Sequence, residues 1–166
     1  RDRATAAPTV TTADGKTLRD RLDRLAQDGH QLVVLDTPPH VKPLMAQVIQ
    51  AAHALLVPAQ PSPDDLHAIG DTINPAKAAE PAPAVGVVLN RFPARASSVA
   101  MARQALAAFD VALAPGTVGD RVAFSYAASF GEGITEYDPQ GKGAKEIRAL
   151  HDWTTHTLLD STALEL

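Results

Sequence analysis

Cysteine is absent from this 166-residue chain. That excludes a disulfide framework and any thiolate metal site. Aromatic residues are scarce, at 4%, while hydrophobic residues reach 45% and many of them are alanine. Such a composition suits helices packed closely on a sheet, with few large rings in the core. No apolar run approaches the ~18 residues of a membrane-spanning helix. The first residues show no secretory leader pattern, so a soluble, cytoplasmic protein is expected. Basic residues do not dominate either. The formal net charge is −4, which excludes a wholly basic nucleic-acid binder and leaves room for a local basic patch. The length fits a single domain, residues 1–166, with a substantial core. Residues 1–14 are polar and are expected to be extended or disordered.

A phosphate-cradling loop is also lacking. The GxxxxGK[ST] pattern lies between a strand and a helix, where its backbone N–H groups hold phosphate. The only Gly-Lys-Thr here is Gly15-Lys16-Thr17, and Val10 stands where the first glycine belongs. Residues 9–14 are polar and make no buried strand. Leu18, Leu22 and Leu25 then fall on one helical face, with Arg19, Asp20, Asp23 and Arg24 outside it. This Gly-Lys-Thr therefore reads as a loop entering a surface helix.

Against these absences stands Asp36. It closes the apolar run Leu32-Val33-Val34-Leu35 and opens Thr37-Pro38-Pro39. A buried strand that ends in an acid and then a rigid turn is how nucleotide-hydrolysing α/β folds present a carboxylate to Mg²⁺ at the sheet's C-terminal edge. The proline pair stops the strand, since neither ring has an N–H for a ladder, and it fixes the backbone beyond the acid. An ordinary turn aspartate after a buried strand gives the same local pattern.

Along the chain, helix is expected over 16–27, ending near Gly29, and strand over 31–36. A short helix over 45–52 starts at Pro43, and a second apolar run covers 54–58. Pro61, Ser62, Pro63, Asp64 and Asp65 make a stiff loop whose serine or aspartates cap the next helix, which Pro75 limits. Strand 85–89, helix 97–109, a strand within 111–118 interrupted by Pro115-Gly116, helix 120–130 and a last helix over 143–159 follow. The core face of that last helix is predicted at Ile147, Leu150, Trp153 and Leu158. Strands alternating with helices predict an α/β fold of three layers, a mostly parallel sheet covered on both faces. The six histidines, among them His53 and His67, show no metal-ligand spacing, so no zinc site is expected.

Four stretches carry a resemblance. They are HQLVVLDTPPHVKPLMAQVIQAAHALLVPAQPSPDDLHAIG over 30–70, VGVVLNRFP ending at Pro93, GTVGDRVAFSYAASFGEGITEYDP over 116–139 and GKGAKEIRAL over 141–150. In order and spacing they resemble the ParA/MinD family of deviant-Walker ATPases, most of all the small plasmid-partition ParA proteins. The resemblance runs from about residue 20 to the end. It implies a P-loop NTPase-like sheet, ATP and Mg²⁺ as cofactors, and dimerisation around two nucleotides. It also implies non-specific DNA binding near the nucleoid and a ParB-like centromere-binding protein or another adaptor as partner, with no membrane.

By the same resemblance Asp36 organises Mg²⁺ through water and is the catalytic acid, and Thr37, Pro38 and Pro39 form the switch segment. Asn90 and Arg91 line the base pocket, which Tyr137, Asp138 and Pro139 close. Pro61, Ser62, Pro63 and Asp64 lie near the dimer interface. Arg91, Arg95, Arg103, Arg121, Lys142, Lys145 and Arg148 form a pool for DNA contact. Taken by themselves, Asn90-Arg91 and Tyr137-Asp138-Pro139 are ordinary turn chemistry, and most of these basic residues suit a solvated face.

The strand, KGGxGK[ST] loop, helix and DxDPQ strand that open such proteins are not in this sequence, which therefore looks like the C-terminal portion of one, with its first βαβ unit missing. Without those strands, LVVLD and VGVVL are expected to present open apolar edges that invite aggregation. Two functions follow: a partition ATPase for a protein that carries the loop, and a non-catalytic interaction module for the chain as it stands. A receiver-like α/β domain would need an acidic pair near the first strand and a later strand-end lysine, and neither is present.

Overall fold

Three mainly apolar runs form strands β1 (Ala54–Ala59), β2 (Ala84–Phe92) and β3 (Ala112–Gly119). They make one parallel sheet in the order β1-β2-β3, with Val57 beside Val87 and Ala59 beside Leu89. In this computed structural model residues 8–37, 42–60, 62–92 and 96–160 are described, with backbone alone at 42, 43, 63, 67 and 96–98. The helices are α1 (Leu18–Gln27), α2 (Lys42–Ala51), α3 (Pro63–Ala68), α4 (Gly70–Lys77), α5 (Ala96–Leu106), α6 (Val122–Phe130), α7 (Ile134–Tyr137) and α8 (Lys142–Thr154). A 3₁₀ turn over Ala107–Phe109 follows α5, and α8 runs into a π turn over Thr155–Leu159.

Side chains alternate along a strand, so β2 feeds two cores. Val87 and Leu89 pack with Val57, Ala59, Ile73 and Leu106, under α4 and α5. Val88 packs the other way with Ala114 and Val118, against Phe124 of α6 and Ile147, Leu150 and Trp153 of α8. Helices thus lie on both faces, as expected of a parallel sheet, though the second face is covered only in part. Gly86 lets the chain's last turns sit on the central strand: a Cβ there would stand 2.6 Å from Leu158 Cδ1 and 2.7 Å from Trp153 Cη2.

Local chemistry explains the helix ends. Asp14 accepts hydrogen bonds from the Lys16 and Thr17 amides, at 3.0 and 2.9 Å, and leads the chain into α1. The Thr17 hydroxyl, which donates to the same carboxylate at 2.8 Å, and then these amides hold the Asp14 carboxyl below its ordinary pKa. Leu18 is buried, with Leu22 and Leu25 half-buried beside it. The helix closes with Gly29 at φ 84° while the Gly29 and His30 amides bond the Ala26 and Leu25 carbonyls, the paired bonds of a Schellman end. Ser62 Oγ accepts the Asp65 amide at 3.4 Å at the start of α3.

The structure corrects four expectations. Residues 31–36 are not a strand: Leu32 and Val34 are 61% and 82% exposed, and no described strand lies beside them. A strand needs a ladder partner for its N–H and C=O groups, and apolar propensity alone cannot supply one. Pro75 does not limit α4 but lies inside it, and the helix reaches Lys77. It survives the lost N–H because Ile73 is buried against the sheet and Ala76 is buried one residue beyond the proline. Pro115-Gly116 does not interrupt β3. The register moves from Val87 beside Leu113 to Leu89 beside Thr117, so the extra residues bulge out while the strand continues. VGVVL presents no open edge, because β2 is paired on both sides. Pro58 lies within β1, which pairs only with β2 among the described strands, the edge position a proline tolerates.

Candidate functional site

A cleft of about 620 Å³ opens beyond the C-terminal ends of β2 and β3. Its floor is the sheet face made by Leu56, Pro58 and Val88, and its far wall is Phe124, Ile147 and Leu150. Its mouth is polar, with Asn90, Arg91, Asp120 and Arg121. Apolar walls with a few converging polar groups, at the carboxyl end of a parallel sheet, are where α/β folds bind small ligands. The volume suits a ligand the size of a nucleoside.

The backbone of the mouth is unusual. Asn90 pairs with Val118 and Phe92 with Gly119, so Arg91 is one residue too many on β2. It bulges with φ 55°, in the left-handed region that a side chain of its size rarely adopts. Such a conformation costs about 1 kcal/mol or more. Asn90 Oδ1 offsets part of it by accepting the Arg91 amide at 3.0 Å. The bulge brings the Arg91 guanidinium to 3.7 Å from an Asp120 carboxylate oxygen, both largely exposed. An exposed pair of that kind contributes little stability; the return of the bulge in the fold is Phe92, which the extra residue turns into the core beside Leu89.

Behind the mouth lies a tighter pair. Arg121 donates from Nε to Glu146 Oε2 at 3.0 Å and from a terminal nitrogen to Glu146 Oε1. Glu146 Oε2 also accepts the Gly119 amide at 3.1 Å. Bonding to Arg121 holds the Glu146 carboxyl below its ordinary pKa, and bonding to Glu146 raises that of Arg121.

No protein-family model matches this chain, and no curated protein does. Among solved structures the chain is similar to the cell division ATPase MinD of Pyrococcus furiosus, with a TM-score of 0.66 and 20% sequence identity over 84% of this chain. The fold is P-loop NTPase-like. The chain spans 57% of the length of that MinD chain.

Of the residues singled out in the sequence, Asn90 and Arg91 line the cleft. Pro139 does not. It sits between α7 and α8, where its carbonyl accepts Arg148 Nη1 at 2.8 Å. Tyr137 stacks on Phe130, ring centroids 5.8 Å apart. Asp36 is exposed and Thr37 half-buried in the segment without regular structure, and neither lines the cleft. Ser62 and Asp64 stand at the start of α3. Pro38, Pro39, Pro61 and Arg95 lie outside the described residues, and Pro63 is described as backbone alone. Lys16 is exposed at the lead-in to α1, with no strand before it among the described residues.

The cleft has room for a ligand of nucleoside size and an apolar lining with a polar mouth. Among the described residues no group of three or more acidic or histidine side chains stands together for a metal ion, and no glycine-rich loop meets the cleft to cradle phosphate. Asp120 and Glu146 escaped notice in the sequence. The usable signal was their place: Asp120 follows the end of a parallel strand, where ligands gather.

Proposed function

We propose that this chain is the C-terminal, base-binding part of a ParA/MinD-type ATPase, with the cleft at the ends of β2 and β3 receiving the adenosine of ATP. The cleft mouth carries the reading: a strained Arg91 and its neighbour Asn90 converge on an apolar slot in a P-loop NTPase-like sheet. In the whole protein, phosphate binding falls to a loop outside this chain, and Asp36 is the catalytic acid and water-mediated Mg²⁺ ligand. Ser62 and Asp64 border a homodimer interface. Exposed Lys142 and Lys145 on α8 contribute to non-specific DNA binding. Plasmid or chromosome segregation through a ParB-like or other adaptor protein is the cellular role that fits this set.

The test is a titration of the chain with adenosine and with MgATP, followed by amide NMR shifts. Both ligands are expected to shift the Asn90, Arg91 and Gly119 amides with Kd values within about threefold of each other, because phosphates find no cradle here; such similarity is a difference of under 1 kcal/mol. Asn90→Ala is expected to weaken both. Absence of any shift at the cleft overturns the nucleoside reading.

A second reading is a non-catalytic interaction module. Its support is the position of Gly15-Lys16-Thr17, which begins a surface helix. MgATP bound a hundredfold more tightly than adenosine by this polypeptide would sink it.

A further inference from the structure

We infer that Arg121 and Glu146 form a positioning pair that fixes the rim of the cleft for a nucleoside. This inference rests on the nucleoside reading. The two residues come from different elements, Arg121 from the turn before α6 and Glu146 from the second turn of α8. Their side chains are only 32% and 22% exposed. The carboxylate takes two bonds from one guanidinium and a third from the Gly119 amide, so a single group on the rigid last helix ties down both ends of the Gly119-Asp120-Arg121 turn. That turn lines the cleft mouth directly beside the Asn90-Arg91 bulge, with Gly119 paired to Phe92.

Gly119 is part of the device. A Cβ there would stand 3.2–3.3 Å from three guanidinium atoms of Arg121, so the guanidinium lies against the bare backbone. The planar fork then gives each carboxylate oxygen its own N–H from a separate nitrogen, a fixed geometry that a single ammonium nitrogen cannot provide. Asp120, between the two anchored residues, is left to face Arg91 at the mouth. A fold needing only stability at this point could bury apolar groups instead. The charged tie fixes the direction of a turn whose remaining polar group faces the cleft. Binding sites gain affinity when such a shell holds the contacting residues in advance.

The experiment compares wild type with Glu146→Gln, Gly119→Ala and Lys77→Ala, measuring adenosine affinity, Tm and exchange of the Gly119 amide. Lys77 is the control. Its Nζ ties the Phe109 and Asp110 carbonyls at 3.0 and 3.3 Å, a similar staple that does not line the cleft. Glu146→Gln and Gly119→Ala are expected to lose roughly tenfold in adenosine affinity, with faster Gly119 exchange in Glu146→Gln. Lys77→Ala is expected to lower Tm with affinity unchanged. Equal affinity in wild type and Glu146→Gln, or equal losses in Lys77→Ala, overturns the positioning role while the nucleoside reading stands. A wild type that binds no adenosine overturns both. Should Glu146→Gln fail to fold, Arg121→Lys decides in its place, since it keeps the charge and loses the fork: retained affinity there overturns the pair's role.

Discussion

Single atoms decide two features of this chain. Gly86 has no room for a methyl group, because Leu158 and Trp153 occupy its place. Gly86→Ala is expected to destabilise the fold by about 2 kcal/mol, seen as a lower midpoint in urea; an unchanged midpoint would mean that the last turns can move aside without loss. Glu146 gives the fold a pH dependence. Its folded pKa is depressed, so its contribution is complete above the ordinary glutamate value of 4.5 and disappears as pH falls through the folded value. The Tm difference between wild type and Glu146→Gln is therefore expected to hold steady at neutral pH, equivalent to about 1 kcal/mol. It should shrink toward zero in acid, where the protonated carboxyl becomes a near-isostere of the amide. A difference that persists at pH 3 would place the effect elsewhere.

The elements show what a sequence can and cannot specify. Helix α1 was legible to within a few residues, because its apolar spacing, its polar lead-in and Gly29 all act locally. Strands β1, β2 and β3 were legible as apolar runs. Residues 31–36 carry the same signal and form no strand, since pairing depends on a partner that composition does not reveal. Pro75 misled for the converse reason: burial of Ile73 and Ala76 keeps a helix going past a residue that should end it. In the site, Asn90 and Arg91 were reached through the resemblance, since by themselves they read as a turn; they lie within β2, and the bulge that turns Arg91 was not legible because it arises from register with β3. Val34, at 82% exposure, offers a test of the unpaired segment. Val34→Lys is expected to leave Tm within about 1 °C, as surface changes usually do, and to reduce self-association in light scattering. A marked fall in Tm would show that Val34 packs in solution.

For the whole molecule, the sheet is closed over one face and half open over the other. Helices α4 and α5 cover one side of all three strands, whereas α6 and α8 leave Leu56 and Pro58 of β1 bare. The candidate cleft exists because of that incomplete cover. Among the described residues no helix is long and apolar enough to cross a membrane. The resemblance in sequence and the likeness to a MinD structure at 20% identity converge on the same sheet, reached from different observations.

The seat of Trp153 has a practical side. It is the sole tryptophan of the chain, and its ring touches the space above Gly86 where the last helix meets the central strand. The molecule thus carries one built-in fluorophore at the joint between α8 and the middle of its sheet. Emission from that indole reports whether the joint is shut, with no label attached and no second chromophore of its kind to confuse the signal.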